Sequence, residues 1–232
     1  MRIFAIGDLH LPGGDDKPMQ VFGAHWEGHW DRIRADWRAR VQPEDTVLIP
    51  GDISWAMQLK DARADLEEIH SLPGRKILCK GNHDYWWNSI TQVRGVLPPS
   101  LSALQHSAAD LGDVVVCGTR GWQLPTEDTP PDPQDEKIFR RETERLRMAL
   151  EEARQMAAGR PVIAMTHYPP LLAGNLDTPM TALMEEYGVH TAVYGHLHGG
   201  GIQCGFSGEH RGVRYRLVSC DSIGFAPAEI QL

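Results

Sequence analysis

Apolar and polar residues follow two kinds of pattern along the chain. Short apolar runs are typical of buried strands, and they occupy residues 2–6, 46–49, 76–79, 113–117, 161–165 and 191–194. Elsewhere apolar residues recur every three or four positions, which predicts helices over residues 25–40, 59–71, 136–158 and 179–187. Strands that alternate with helices in this way predict an α/β fold.

Two regions depart from this pattern. Residues 124–135 contain four prolines and four acidic residues, a composition typical of a solvent-exposed loop. Residues 202–220 alternate in strand fashion, with Val213, Tyr215 and Leu217 in step. Because neither a linker nor a repeat interrupts the sequence, we predict a single domain over residues 1–232.

The helix predicted over residues 25–40 pairs two histidines and two tryptophans at four-residue spacing. His25 and His29 could bind zinc from one helix face, but the glutamate that marks such a metalloprotease site is missing. An aromatic packing face with exposed histidines is the favoured interpretation. A helix that covers a cleft stays open as an alternative.

The bulk composition is that of an ordinary globular protein, with 41% hydrophobic and 23% charged residues in a chain of 232. The net charge of −8 disfavours a general attraction to nucleic acid, although a local basic groove stays open as an alternative. The sequence contains no apolar run of about 18 residues, so no membrane contact is predicted. No protein partner is evident.

Four cysteines lie far apart, at positions 79, 117, 204 and 220. Cys79 and Cys117 belong to apolar runs, where cysteine acts as a small hydrophobic residue. The sequence has no CxxC pair, which disfavours a zinc finger or a redox motif. The polar residues from position 8 leave no room for a signal peptide. We therefore predict a cytoplasmic protein with reduced thiols.

Side chains that bind metals follow the ends of five predicted strands, mostly beside glycine. In chain order they are Asp8, His10, Asp52, Asn82, His167, His196 and His198. Singly, each has an ordinary explanation, since Asp and Asn favour turns and most histidines are packed or exposed. The carboxyl ends of strands in an α/β fold gather at one edge, so these side chains are expected to converge.

The combination of these residues predicts the kind of metal site. Nitrogen and oxygen ligands without cysteine suit Mn, Fe, Zn or Co. Seven ligands are too many for one catalytic metal with an open position, and they suit two divalent metal ions that share a bridging carboxylate. A structural metal site without chemistry is an alternative, but it would leave His83 and Asp84, which follow Asn82, without a role.

The ordered motifs resemble a known signature. Asp8-x-His10, Gly51-Asp52, Gly81-Asn82-His83-Asp84, His167 and Gly195-His196-x-His198 are similar to the motifs of the calcineurin-like metallophosphoesterases. The resemblance implies a four-layer α-β-β-α sandwich with two mixed β-sheets. It also implies one metal held by Asp8, His10, Asp52 and His198, and a second held by Asp52, Asn82, His167 and His196, with Asp52 bridging.

The activity implied is metal-dependent hydrolysis of a small phosphoester, by a phosphomonoesterase or a phosphodiesterase. Manganese would suit both metal positions. A hydroxide that bridges the two metal ions would attack phosphorus in line. His83 would then protonate the leaving oxygen as general acid, and Asp84 would orient its ring. The alternative is a non-catalytic scaffold that kept the fold, which the complete ligand set and His83 disfavour.

The sequence departs from some members of this superfamily. Protein Ser/Thr phosphatases carry an arginine a few residues after the Gly-Asp motif, and residues 53–57 contain none, so that activity is disfavoured. Arg120, at another strand end, is a candidate to bind the substrate phosphate, with loop bracing as the alternative. Four tryptophans near the motifs either line a cleft or pack in the core, namely Trp55, Trp86, Trp87 and Trp122.

Overall fold

The computed structural model describes residues 1–14, 19–125 and 132–232, and within these ranges it contains eleven strands. In chain order they are β1 (Ile3–Ala5), β2 (Thr46–Pro50), β3 (Arg75–Cys79), β4 (Leu101–Leu104), β5 (Ser107–Asp110), β6 (Val115–Thr119), β7 (Val162–Thr166), β8 (Thr191–Tyr194), β9 (Gly208–His210), β10 (Val213–Leu217) and β11 (Ala228–Ile230).

The strands form two mixed sheets. The first has the order β11-β1-β2-β3-β4, and all of its pairs are parallel except that of β11 with β1. The second has the order β5-β6-β7-β8-β10-β9, with antiparallel pairs only at its two edges. Parallel neighbours place the ends of consecutive strands along the same sheet edge.

Five α-helices cover the outer faces of the sheets: α1 (His29–Arg40), α2 (Leu59–His70), α3 (Ile90–Arg94), α4 (Pro133–Ala157) and α5 (Pro179–Glu186). Three short 3₁₀ turns lie at Met19–Phe22, Ala24–Trp26 and Gly199–Cys204. Among the described residues, no helix combines the length and apolar character needed to cross a bilayer.

Alternating side chains divide the core into three apolar layers. Phe4 packs with residues of α1 and α2, whereas its neighbours Ile3 and Ala5 pack between the two sheets. In the second sheet, Val116 faces the first sheet while Val115 packs against α4 and α5. Both faces of the central strands are therefore buried, which explains their continuous apolar runs. The predicted four-layer α-β-β-α sandwich with two mixed sheets is confirmed.

The helix predicted over residues 25–40 is shorter in the structure. Gly28 adopts a left-handed conformation with φ of 60° and separates the 3₁₀ turn at Ala24–Trp26 from α1. The expected pairing of His25 with His29 on one helix face is therefore wrong. His25 is exposed, whereas Nε2 of His29 lies 3.0 Å from the carbonyl oxygen of Leu9.

Two other boundaries differ from the prediction. Helix α4 begins at Pro133 because Asp132 caps it by accepting hydrogen bonds from two main-chain N–H groups, so the predicted loop over 124–135 gives way to helix at its end. Residues 126–131 of that loop lie outside the described part of the chain. In the tail, the alternation holds for β10, where Val213, Tyr215 and Leu217 are buried, but Gly199–Cys204 is a 3₁₀ turn.

Candidate metal centre

The ends of five strands bring the predicted ligands together at one edge of the two sheets. Asp8 and His10 follow β1, Asp52 follows β2 and Asn82 follows β3, while the remaining ligands follow β7 and β8. Main-chain hydrogen bonds join these strand ends: the N–H of Asp8 donates to Gly51, and the N–H of Gly195 donates to His167. Neighbouring parallel strands therefore position the whole set.

One group of ligand atoms gathers around Asn82. Its Oδ1 lies 2.6 Å from Nε2 of His167 and 3.0 Å from Nδ1 of His196. The two ring nitrogens are themselves 3.3 Å apart, and Oδ2 of Asp52 lies 3.5 Å from Nε2 of His167. These four side chains are the set that the resemblance implies for one metal.

A second group of ligand atoms forms around Asp8. Nε2 of His198 lies 3.2 Å from Oδ1 of Asp8, and potential ligand atoms of Asp8, His10 and His198 all lie within 4.8 Å of one another. Nε2 of His10 is 3.9 Å from Oδ2 of Asp52. The same Asp52 oxygen therefore faces both groups, which is the arrangement that a bridging carboxylate needs.

The backbone at these positions is strained. Four candidate ligands have positive φ angles that side chains other than glycine rarely adopt: Asp8 at 60°, His10 at 46°, Asp52 at 51° and His196 at 74°. Each such residue costs on the order of 1–3 kcal/mol, and such residues persist where the surrounding structure fixes them. These backbone conformations turn the side chains sharply from the strand ends into the site.

Two glycines allow the carboxylates to approach the neighbouring backbone. A Cβ atom at Gly81 would collide with the Asp52 carboxylate, and a Cβ atom at Gly195 would collide with that of Asp8. Gly195 has no positive φ, so space alone requires glycine there. The glycines that flank the sequence motifs therefore fix the positions of the two acidic side chains.

We expect Gly195→Ala to lower metal affinity by about 10–100-fold, the range typical of a disturbed ligand support. The added Cβ would displace the Asp8 carboxylate, which also accepts hydrogen bonds from the N–H of His196. Metal-buffered titration with readout of bound Mn²⁺ measures the change. Gly200→Ala is the matched control, since a Cβ there meets no atom within 4 Å. Equal affinities in the two variants would contradict the predicted role of Gly195.

Hydrogen bonds at Nδ1 orient the rings of two histidines toward the site. Nδ1 of His167 lies 3.0 Å from the carbonyl oxygen of Pro50, which can only accept, so Nδ1 carries the hydrogen. Nδ1 of His198 lies 2.8 Å from Oδ1 of Asp221 and donates in the same way. Each ring consequently turns its Nε2 inward, where the nitrogen can bind a metal ion once it is deprotonated. A partner of this kind is typical of metal-binding histidines.

Charge in the centre is unbalanced without a cation. Burial, followed by the negative charge of Asp8, raises the pKa of Asp52 to about 8. Burial alone would lower the pKa of His198, but Asp8 and Asp221 outweigh it and raise that pKa to about 10. Burial and the charge of His167 lower the pKa of His196 to about 4. A divalent cation would offset the repulsion between the two buried carboxylates.

The residues present fit divalent metal ions. Nε2 of His167, an acceptor, faces Oδ1 of Asn82 at 2.6 Å, a contact between two acceptors that a cation between them would make favourable. Nδ1 of His10 is buried without a hydrogen-bond partner among the described residues. Mixed imidazole, carboxylate and amide oxygen donors are those of borderline divalent ions.

A sequence model of the family described as calcineurin-like phosphoesterase matches residues 1–200. The matched region contains all seven candidate ligands together with His83 and Asp84. The chain belongs to the calcineurin-like phosphoesterase family. Among curated proteins, no sequence matches this one significantly.

Two solved structures are similar in fold to this calcineurin-like phosphoesterase. The protein of unknown function AQ665 from Aquifex aeolicus is 16% identical with a TM-score of 0.52, and the match covers 98% of this chain and 95% of that one. Phosphopantetheinyl hydrolase (PptH) from Mycobacterium tuberculosis is 16% identical with a TM-score of 0.56, covering 94% and 88%. At this identity the likeness supports the fold alone.

His83 lies at the border of the metal centre of this phosphoesterase. Its ring centroid is 5.7 Å from that of His10 and 4.4 Å from that of Trp55. The main-chain N–H of His83 donates to Oδ1 of Asp52. Nδ1 of its ring is buried without a hydrogen-bond partner among the described residues. Burial lowers the pKa of His83, and the charge of His167 lowers it further. The ring is close to the candidate ligands but belongs to neither group.

The structure does not show the predicted contact between the carboxylate of Asp84 and the ring of His83. That carboxylate accepts hydrogen bonds from the N–H groups of Ile53, Ser54 and Gly81 and from Nε1 of Trp86, and none from the His83 ring. Burial, followed by the charge of Asp52, raises its pKa to about 6. Asp84 therefore ties the loop after β2 to the loop after β3, and it positions His83 through the backbone rather than by direct contact with the imidazole.

The structure separates the four tryptophans near the motifs. Trp86 and Trp87 are fully buried in the core beneath the first sheet. Trp55 is half-buried and stacks on His10 with 4.9 Å between ring centroids. Trp122 packs 5.4 Å from Tyr168, whose ring is 4.3 Å from that of His196. Two of them pack in the core, and the other two border the site.

Arg120, the candidate phosphate-binding residue, extends beside the centre. Its guanidinium lies 4.6 Å from the ring centroid of Trp122 and lines a cavity with Lys80. Its carbonyl oxygen accepts hydrogen bonds from the N–H groups of His167 and Tyr168. Its backbone thus braces the loop after β7, while its guanidinium packs on Trp122 and lines that cavity.

Sequence reasoning missed two residues that support the centre. Asp221 binds Nδ1 of His198 and accepts the N–H of Gly199, but it lies in no motif and is 23 positions from His198. Trp26 is buried with its ring 6.0 Å from His10 and 5.5 Å from His198. The aromatic face predicted for residues 25–40 was the available signal for Trp26. The sequence offered none for Asp221.

Proposed function

We propose that this protein hydrolyses a small phosphoester by in-line attack of hydroxide on phosphorus, with His83 as the general acid. Family membership and the converging ligands make it a metal-dependent phosphoester hydrolase. The observation that supports the finer proposal is the place of His83, whose ring borders the ligands while its Nδ1 has no hydrogen-bond partner among the described residues.

The candidate ligands would divide between two divalent ions such as manganese, iron or zinc. We assign one ion to Asp8, His10, Asp52 and His198, and the other to Asp52, Asn82, His167 and His196. Bound there, the ions would lower the pKa of water and neutralise charge on the phosphoryl oxygens. Asp52 is placed to bridge because its Oδ2 faces both groups.

The protein side chains would perform the remaining steps. His83 would donate its proton to the leaving oxygen as general acid, and the negative charge of the phosphate beside its half-buried ring would offset the lowering of its pKa. Asp84 would hold the His83 loop in register with the Asp52 loop through its main-chain hydrogen bonds. Trp26 and Trp55 pack against His10 and would limit the access of water from that side.

Protein phosphatase activity is disfavoured. The segment after Gly51-Asp52 contains no arginine, and the ring of Trp55 in that segment stacks on His10. The phosphate grip that the protein Ser/Thr phosphatases draw from that segment is therefore missing here. A substrate smaller than a protein is the better match to this site.

Hydrolysis of p-nitrophenyl phosphate and bis-(p-nitrophenyl) phosphate tests the proposal. Protein treated with a chelator should be inactive, and Mn²⁺ should restore turnover on at least one of the two compounds. The ratio of their kcat/KM values then decides between a monoesterase and a diesterase. If the protein binds two Mn²⁺ ions and hydrolyses neither compound nor a broader panel of phosphoesters, it is a non-catalytic scaffold and the proposal fails.

A further inference from the structure

A cavity of about 200 Å³ lies where β3 and β6 end. Four of its lining residues are basic, namely Lys80, Arg120, Arg141 and Arg145. One lining residue, Glu142, is acidic. The volume suits a carboxylate or phosphate group better than a large ring system. The cavity therefore combines a small size with an excess of positive charge.

The cavity shares its loops with the metal centre. Lys80 immediately precedes Gly81 and Asn82 in the loop after β3. The carbonyl oxygen of Arg120 accepts the N–H of His167 at 3.1 Å, which joins the loop after β6 to the loop after β7. β3 lies beside β2 in the first sheet, and β6 lies beside β7 in the second. The cavity therefore lies along the same edge as the candidate ligands. One extended molecule could reach both.

The single carboxylate in the cavity is already fully engaged. Glu142 is 1% exposed and accepts hydrogen bonds from Oγ1 of Thr119 at 2.9 Å and from Nη1 of Arg145 at 2.7 Å. Nη2 of Arg141 approaches it at 3.5 Å. Glu142 therefore balances the charge of Arg145 and fixes the wall formed by α4.

Lys80 and Arg120 have no carboxylate partner among the described residues. Nζ of Lys80 donates to the carbonyl oxygen of Trp87 at 2.6 Å, and the guanidinium of Arg120 lies over the ring of Trp122. Both side chains are partly buried, and burial followed by the charge of Arg120 lowers the pKa of Lys80, although Asp84 and Glu142 partly oppose this effect. Neither cation forms an ion pair with a carboxylate among the described residues, so an anion that enters this small cavity could bind both of them.

We propose that this cavity binds a second anionic group of the phosphoester substrate, a carboxylate or a further phosphate, at the part of the molecule that does not react. The proposal rests on the proposed phosphoesterase activity. Arg120 would offer a planar pair of N–H donors and Lys80 a point charge, the two modes by which proteins bind such groups. Arg120 would thus recognise the remote group rather than the phosphate that is hydrolysed.

Three series of substrates of increasing chain length test the proposal. They are neutral alkyl phosphates, ω-carboxyalkyl phosphates and alkane α,ω-bisphosphates, assayed with the Mn²⁺-loaded enzyme. At the length that spans the two sites, a second anionic group should raise kcat/KM by about tenfold, the effect of one or two charge-assisted hydrogen bonds. The carboxylate and bisphosphate series show which anion the cavity prefers. A ratio near one at every length would overturn the proposal.

Variants of the cavity supply the second test. The preference for the second anion is the ratio of kcat/KM with that group to kcat/KM without it. Lys80→Met and Arg120→Met should each reduce this ratio to near one. Because both values come from the same variant, a general loss of activity cancels. Arg38→Met makes the same change of charge at an exposed position of α1 and should keep the full preference and turnover. If the cavity variants keep the preference, the proposal is wrong.

A binding measurement separates failure of the cavity from failure of the enzyme. Sulfate should raise the Tm of the metal-loaded wild type more than that of the Lys80→Met/Arg120→Met double variant, because a ligand that binds only the folded state stabilises it. Equal shifts would overturn the cavity as an anion site. If all three substrate series remain unhydrolysed, the proposed function fails, and the sulfate result then decides on the cavity alone.

Discussion

Asp52→Asn should abolish metal-dependent hydrolysis and remove bound metal. Asp52 is 2% exposed, and its Oδ2 is 3.9 Å from Nε2 of His10 and 3.5 Å from Nε2 of His167, so it faces both groups of candidate ligands. A neutral amide would bridge two cations poorly. The loss of metal affinity should exceed the roughly 10–100-fold that follows from loss of an outer-shell partner. Metal analysis of the dialysed protein, together with turnover, measures the effect.

The stability of the metal-free protein gives this prediction an independent check. The pKa of Asp52 is raised to about 8 by burial and by Asp8, so the metal-free wild type loses stability as the pH rises toward 8. Asp52→Asn removes that penalty, and the metal-free variant should be the more stable protein at pH 8. Asp113→Asn, at an exposed position, is the matched control. Retention of two metal ions with unchanged turnover in Asp52→Asn would refute the bridging role.

His83→Asn should lower kcat by about 10²–10⁴-fold, the usual contribution of a positioned general acid. The ring lies outside both groups of ligand atoms, and the hydrogen bond to Asp52 comes from the main-chain N–H, which asparagine retains. Metal content should therefore remain at the wild-type level. Turnover on p-nitrophenyl phosphate, measured together with bound metal, separates the two effects.

A substrate series with leaving groups of different acidity sharpens the test of His83. A general acid matters most for a poor leaving group, so the defect of His83→Asn should grow from p-nitrophenyl phosphate to an alkyl phosphate. His190→Asn, at a position away from the metal centre, should show neither effect. Loss of metal from His83→Asn, or a defect that is the same for all leaving groups, would assign His83 a structural role.

The sequence predicts the central layers well for a physical reason. Strands buried on both faces must be apolar throughout, so β1, β2, β3, β7 and β8 are visible as continuous runs. The strands that were missed lie at or near sheet edges. β5, for example, is only partly buried, and β11 has three residues that gain their structure from pairing with β1. Such strands are defined by tertiary contacts rather than by local pattern.

The candidate site likewise has residues that the sequence predicts and contacts that it does not. The ligands could be predicted because each comes directly after a strand, and strand ends converge in this fold class. The hydrogen bonds of Asp84 could not, since they run to Ile53 and Ser54, some 30 positions earlier in the chain. Asp221 likewise meets His198 only because β10 lies beside β8 in the second sheet. The spacing of residues along the sequence does not predict contacts between distant segments.

The link between Asp221 and His198 also bears on how the protein is made. During synthesis, Asp8, His10, Asp52 and Asn82 leave the ribosome well before His167, His196 and His198, and the segment that supports His198 follows later still. The N–H of Cys220 donates to Gly7, and Sγ of Cys220 donates to the carbonyl oxygen of Asp8, so this late segment also closes on the first strand. The seven candidate ligands and the hydrogen bond that supports His198 are therefore complete only after residue 221 has been translated.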